Sequence, residues 1–390
     1  MQTSNVWNFG PGPAKIPTSV LQRAQAELLN YNNTGMSIME LSHRSKEFEN
    51  FNNKTQRDLR TLLNIPNNYK ILFMQGGGNT QFAAVVYNLL VAKRHQLSED
   101  LEEEFNPPLD YLITGSWSLK AAEEAKKLYN NVNIVFDVKK LKGSYGSIPP
   151  KEEWKLSGSK AAYVYYCDNE TVNGVEFNHI PEIDPSVPLV CDMSSNILSR
   201  RFDVSKFGVI YAGAQKNIGA AGLTVVIVRE DLLIRTKNFD NKNSGIPAIP
   251  SMLDYKVMAD YNSLYNTPPM FSIYISSLVF EWLLELGGVE AIEKTNSIKA
   301  ERLYEAIDNS KIYKSPVEKS VRSRMNVPFR IQQEELESEF LKGSIELGML
   351  QLKGHRSVGG IRASIYNALT LEGVEFLIEY MKEFERKHCQ

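Results

Sequence analysis

The chain has 390 residues, 44 Lys plus Arg against 46 Asp plus Glu, and 43% hydrophobic residues. This ordinary globular composition gives no reason to expect disorder, nucleic-acid binding or attachment to an anionic membrane, and its length exceeds what one hydrophobic core usually organises, so two or more domains are expected. Cys167, Cys191 and Cys389 form no CxxC pair, which argues against a disulfide framework or a metal site. With no signal-like N-terminus and no run near ~18 apolar residues, the sequence points to a reducing, cytoplasmic compartment without a membrane span.

An N-terminal arm over residues 1–15 is rich in Pro and Gly. Behind it Val20, Leu21, Ala24 and Leu28 recur at helical spacing after the N-cap candidates Thr18 and Ser19. A longer helix follows, with Phe48, Phe51, Thr55, Leu59, Leu62 and Leu63 on one face and Pro66 as its stop. The period then changes to a strand over 69–75, a GGGNT turn and a helix over 81–91. The spacing continues with a strand at 110–114, a helix at 118–129, and apolar strands at 132–138, 161–167, 187–193, 209–212 and 223–228. Continuous apolar runs between amphipathic helices predict an α/β fold with a mostly parallel sheet covered on both faces. The charged stretch 92–108 reads as a surface insertion, and 238–269, rich in Asn, Tyr and Pro, as a long irregular connection. From there on, helices at 272–286, 289–309 and 334–347, strands near Val327 and at 361–365, and a closing helix from Leu371 suggest a smaller α+β domain. The expected division is a large domain over 16–268 and a small one over 269–390.

The chemistry concentrates between Val187 and Val228. One apolar strand there ends in Asp192, a second ends at Ala212, and Lys216 follows in the small-residue loop AGAQKNIGAAG. Ligand sites of open α/β sheets gather at the carboxyl ends of strands. Singly, such an Asp is most often a turn residue and such a Lys a solvated one. Together they meet the needs of pyridoxal 5'-phosphate, which takes a lysine amine on its aldehyde carbon and a carboxylate at its pyridine nitrogen. GGGNT, between strand and helix, offers backbone amides for the phosphate, and it has neither the GK[ST] of a P-loop nor the spacing of GxGxxG. Trp117, in GSWS after the next strand, is placed either to stack on a flat ring or to fill the core.

With NFGPGPAKIP, MELSHRSKEF, GGGNTQFAAV, YCDNETVNGVEF, DMSSNILSRRFDVSKFGVIYAGAQKNIGAAGLT, YNTPPMFSIY and LKGHRSVGGIRASIYNA in order, essentially the whole chain resembles the phosphoserine aminotransferase family of class V aminotransferases. The resemblance implies the fold type I architecture of pyridoxal-phosphate enzymes. It also implies that Lys216 bonds the cofactor, with Gln215 at its phosphate, Asp192 at its ring nitrogen, Trp117 stacked on the ring and Thr171 hydrogen-bonded to it. Gly78 and Asn79 would bind the phosphate, and Asn266 and Thr267 would reach it from the neighbouring subunit of a homodimer. Part of that family has arginine where this chain has Asn79, so a charged contact there is not carried over.

His43-Arg44 and His355-Arg356 are implied at the distal anionic group of the substrate, and Arg362 at its α-carboxylate. Arginine holds phosphate bidentately, and a dianion favours a neighbouring imidazolium, which suits a phosphorylated substrate. The expected reaction passes the amino group of L-glutamate to 3-phosphohydroxypyruvate, giving O-phospho-L-serine and 2-oxoglutarate in a ping-pong sequence that belongs to serine biosynthesis. A desulfurase would need a mobile reactive cysteine, and none lies between Cys191 and Cys389. A binding protein that had lost the chemistry could dispense with Lys216 or Asp192, and both are present.

Overall fold

The computed structural model describes residues 6–97, 105–235, 246 and 248–389. An arm strand β1 (Trp7–Asn8) leads to helices α1 (Thr18–Glu27) and α2 (Lys46–Leu63), then β2 (Tyr69–Met74), α3 (Gly77–Gln96), β3 (Leu109–Ile113), α4 (Ser116–Leu128), β4 (Val132–Asp137) and the short α5 (Val138–Lys142). There follow β5 (Tyr163–Cys167), the hairpin β6 (Asn169–Glu170) and β7 (Val175–Glu176), then β8 (Leu189–Asp192), β9 (Val209–Gly213), β10 (Thr224–Arg229) and α6 (Tyr255–Asp260). The C-terminal part contains α7 (Met270–Glu285), α8 (Gly288–Asp308), β11 (Tyr313–Lys314), β12 (Asn326–Ile331), α9 (Glu335–Glu346), β13 (Met349–Leu350), β14 (Ile361–Ser364) and α10 (Leu371–His388).

The central sheet has the order β2-β10-β9-β8-β5-β3-β4 and is parallel except for β10, which is antiparallel to both of its neighbours. Its strands read as unbroken apolar runs because both faces are covered. Along β8, Leu189 and Cys191 join an apolar cluster with α2 and α7, while Val190 joins the cluster under α3, α4 and α6. Val225 and Ile227 against Val226 and Val228 divide β10 in the same way.

Helix α2 forms as its sequence dictates. The Ser45 hydroxyl accepts from the Phe48 amide at 3.2 Å, all six expected inward residues are buried, and Asn64 at φ 50° ends the helix. Helix α1 departs from expectation: Thr18 and Ser19 lie inside it, Pro17 is at the cap position without a side-chain bond, and Leu21 is exposed. Helix α3 begins four residues before the expected start, so most of GGGNT forms its first turn, and it continues to Gln96, taking in the start of the charged stretch. Residues 98–104 of that stretch lie outside the described residues. The connection over 238–269 is not wholly irregular either, since α6 forms within it, capped by Asp254.

A third apolar cluster holds the C-terminal part together, with Leu303, Phe329, Phe340, Ile361 and Leu377 among its members. The arm enters this cluster: β1 pairs with β13 in parallel, and Trp7 and Phe9 are buried there. Helix α8 bridges two clusters, with Val289 and Ile292 in one and Ala300 and Leu303 in the other. No single described helix is long and apolar enough to cross a membrane.

Candidate active site

The parallel strands all end at one edge of the sheet, and the connections that leave them there line a cavity of about 360 Å³. The end of β2 supplies Gly76, Gly77, Gly78 and Asn79, and the end of β3 supplies Trp117. The segment after β5 supplies Asn169, Thr171 and Val172, β8 supplies Asp192, Ser194 and Ser195, and β9 supplies Gln215 and Lys216. Pro11 and Gly12 of the arm, with His355 and Arg362 of the C-terminal part, complete the wall.

Lys216 is 8% exposed, and its Nζ donates to Thr171 Oγ1 at 2.7 Å. Burial pushes its ammonium down to about 8, against the pull of Asp192, Cys167 and Glu170, and Arg362 adds to the push. Asp192 is also buried, and its Oδ1 accepts from the Ser194 amide at 2.8 Å. Burial moves this carboxyl up, while Ser194 and Lys216 hold it down. Gly78 passes close by: a Cβ there would stand 3.6 Å from Asp192 Oδ2.

At the start of α3, Gly76 takes φ +94° and makes no side-chain cap, and Thr224 Oγ1 accepts from the Gly77 amide at 2.8 Å. The Gly78 and Asn79 amides then have no intrahelical acceptor. They form an anion cradle at the positive end of a 20-residue helix.

Arg362 is 5% exposed; its Nη1 donates to the Thr171 carbonyl at 3.1 Å and its Nε has no partner. The Trp117 indole nitrogen is likewise buried and unpartnered. His355 bonds Ser357 Oγ through Nδ1 at 2.7 Å, and burial together with Arg362, Lys120 and Arg356 pushes its imidazolium down.

These residues fit pyridoxal phosphate: a buried lysine of lowered basicity, a buried carboxylate, amides free at a helix start, and two buried donors on the wall that lack acceptors. Of the residues singled out in the sequence, Gly78, Asn79, Trp117, Thr171, Asp192, Gln215, Lys216, His355 and Arg362 come together in the cavity. His43, Arg44, Asn266, Thr267 and Arg356 do not line it. Instead His43 Nδ1 lies 3.3 Å from Thr267 Oγ1 on an exposed part of the chain, and Asn266 Oδ1 is buried without a partner. Sequence reasoning missed Pro11, Gly12, Asn169, Ser194 and Ser195. The serines directly follow Asp192, and that adjacency was the available signal.

The family model Aminotransferase class-V matches residues 6–377. The chain is 52% identical over 386 residues to the phosphoserine aminotransferase of Pseudomonas syringae pv. syringae, covering 99% of each chain. It is also 52% identical over 387 residues to that of Pseudomonas entomophila, covering 99% of this chain and all of the other. Among solved structures, phosphoserine aminotransferase from Bacillus circulans subsp. alkalophilus matches with a TM-score of 0.89 at 44% identity, over 99% of this chain and 100% of that one. The PLP-bound enzyme from Trichomonas vaginalis matches with a TM-score of 0.86 at 39% identity, over 97% and 100%. A whole-length match of sequence and of α/β architecture, over a cavity built for pyridoxal phosphate, means that the chain belongs to the class V aminotransferases.

Proposed function

We propose that the chain is a phosphoserine aminotransferase, moving the amino group of L-glutamate to 3-phosphohydroxypyruvate and leaving O-phospho-L-serine and 2-oxoglutarate. The observation that carries this reading is Lys216, buried between Asp192 and Thr171 in a cavity whose rim bears His355 and Arg362, in a chain 52% identical to enzymes of that name. Pyridoxal phosphate, when bound, supplies an electron sink for the bonds at the substrate Cα.

The rest is done by the chain's own groups. Lys216 Nζ takes and returns the Cα proton, and its lowered basicity keeps part of it neutral near pH 7. Asp192 holds a proton at the ring nitrogen, Thr171 fixes the ring's edge, and Trp117 covers a face and keeps water off it. The Gly78 and Asn79 amides hold the cofactor's phosphate, with Gln215 beside it. Arg362 grips the α-carboxylate, which supplies the acceptor that its free Nε lacks. Donor and acceptor use the same pocket in turn, so glutamate's γ-carboxylate and the acceptor's phosphate meet the same cations.

His43, Arg44, Asn266 and Thr267 are assigned to the site of a second copy in a homodimer. Support comes from the pairing of His43 with Thr267, neither of which lines the cavity of its own chain. The exposed Met36, Met39, Tyr261 and Tyr265 on the same two segments point the same way. His355 and Arg356 complete the distal pocket from the chain's own side. A large domain over 16–268 and a small one over 269–390 remain the proposed division, favoured by the separate C-terminal apolar cluster, although α7 packs against α2. We place the enzyme in the cytoplasm and in serine biosynthesis, in keeping with cysteines that are all unpaired. Purified protein given glutamate and 3-phosphohydroxypyruvate should release 2-oxoglutarate in step with O-phosphoserine. No release with either partner would overturn the assignment.

A further inference from the structure

The hairpin that presents Thr171 to Lys216 also carries a carboxylate that no step above uses. Glu170 is 0% exposed and, among the described residues, makes no ion pair. It closes instead on the start of α4. Its Oε2 accepts from the Trp117 amide at 2.8 Å, and its Oε1 accepts from the Ser118 amide at 2.9 Å and from Ser118 Oγ at 2.6 Å.

Three residues along, Asn173 Oδ1 accepts from the Ser116 amide at 3.0 Å and from its hydroxyl at 3.1 Å. The first three amides of α4, which the helix itself leaves without acceptors, are therefore satisfied by one hairpin. Gly115, at the cap position, has no side chain to do this and no space for one. A Cβ there would stand 2.5 Å from Glu170 Cδ and 2.7 Å from Asn173 Oδ1.

Two elements of the cavity wall are thereby tied together through a single side chain. Trp117 is held by its amide, and Thr171 is the next residue along the hairpin. We propose that Glu170 is a positioning residue for the cofactor, fixing the Trp117 ring relative to the Thr171 hydroxyl without touching the cofactor itself. This rests on the reading above that Trp117 packs against the cofactor ring. A carboxylate suits the task because it offers two acceptors and no donor to amides at the positive end of a helix, whereas glutamine turns an NH2 towards one of them.

The test is a double-mutant cycle on the full-length chain, with equilibrium binding of pyridoxal 5'-phosphate to the cofactor-free protein as the readout. Glu170→Gln is expected to weaken binding about tenfold to a hundredfold, the range for losing a hydrogen bond to a buried charged group. In a Trp117→Ala background the same change is expected to cost less than about threefold, because the ring it positions is gone. General softening of the fold would strike both backgrounds alike. Visible circular dichroism of the bound cofactor should also weaken in Glu170→Gln. If that variant does not fold, Glu170→Asp, which keeps the charge and shortens the reach, carries the same cycle. Equal losses in both backgrounds would overturn the proposal while leaving the stacking of Trp117 intact. A Trp117→Ala protein that binds the cofactor as tightly as the parent would overturn the stacking and the proposal together.

Discussion

Lys216 makes the site testable through pH. Burial lowers its ammonium from 10.5 to about 8, so about 9% of the amine is neutral at pH 7, against roughly 0.03% for an unperturbed lysine. Only the neutral amine attacks the cofactor's aldehyde carbon, so uptake of pyridoxal phosphate by the cofactor-free chain should rise about tenfold per pH unit below 8 and flatten above it. Two neighbours push the midpoint in opposite directions. Asp192 favours the ammonium, so Asp192→Asn should move the break lower; Arg362 disfavours it, so Arg362→Gln should move the break higher. The same shift has a stability signature of fixed sign. From pH 8 to 10.5 the unfolded chain holds the proton that the folded one has shed, so the cofactor-free protein should gain stability as pH rises through that window. Stopped-flow absorbance of cofactor uptake from about pH 6.5 to 10 measures the profile. The second ionisation of the cofactor's phosphate, near about 6, is complete before the break is reached. A rate that climbs without a break to about pH 10, or two variants that shift the break in the same direction, would refute the assignment of this amine.

Asp192→Asn should slow the glutamate half-reaction by at least about an order of magnitude, since an amide cannot hold the ring nitrogen's proton as a carboxylate does; single-turnover rates check this. Arg44→Ala and Arg356→Ala should lower kcat/KM for 3-phosphohydroxypyruvate by roughly tenfold to a hundredfold and for hydroxypyruvate much less, while Arg362→Ala should damage both alike. Parallel kinetics on the two acceptors separate these outcomes. Mixing inactive Lys216→Ala subunits with Arg44→Ala subunits should restore about a quarter of parental activity, because half of randomly paired dimers would hold one intact site. No recovery after verified exchange would place Arg44 in its own chain's site. Lys299, whose Nζ donates to the carbonyls of Ile365, Tyr366 and Leu369 at 2.9 to 3.0 Å, should cost about 3 kcal/mol as Lys299→Met by stranding those acceptors, as read from urea unfolding.

Much of the fold was legible because its strands are buried on both faces. Residues 189–191 and 225–228 are continuous apolar runs, and a sheet sandwiched between helix layers requires such runs. The hairpin over 169–176 was not legible. Its paired stretches are two residues each, at the two ends of the sequence NETVNGVE, and what holds them is long-range: Asn169 to Ser195 and Asn326, and Glu170 to α4. Lys216 and Asp192 stood out because the cofactor demands both. Glu170 did not, because a lone glutamate ordinarily reads as a solvated surface residue. Pro11 and Gly12 were seen only as part of an arm, since nothing local shows that Ala14 donates to the Gln215 carbonyl at 2.8 Å and draws the arm over the cavity.

The division between residues that one chain assembles and residues that it does not follows the topology. Parallel strands end at a common edge, so the groups at the ends of β2, β3, β5, β8 and β9 converge without help from a partner. They include the groups assigned to the cofactor, and Arg362 from β14, assigned to the substrate's α-carboxylate, joins them in the same cavity. His43 and Arg44 lie on the connection into α2, and Thr267 on the connection into α7, neither of which leaves a sheet strand at that edge. Helices α2 and α7 pack together on one face of the sheet, and His43 lies beside Thr267 with neither residue lining the cavity of its own chain. The groups proposed to act at Cα thus converge within one subunit, whereas on the proposed reading His43 and Arg44 reach the substrate phosphate only from a second copy, where they meet the chain's own His355 and Arg356.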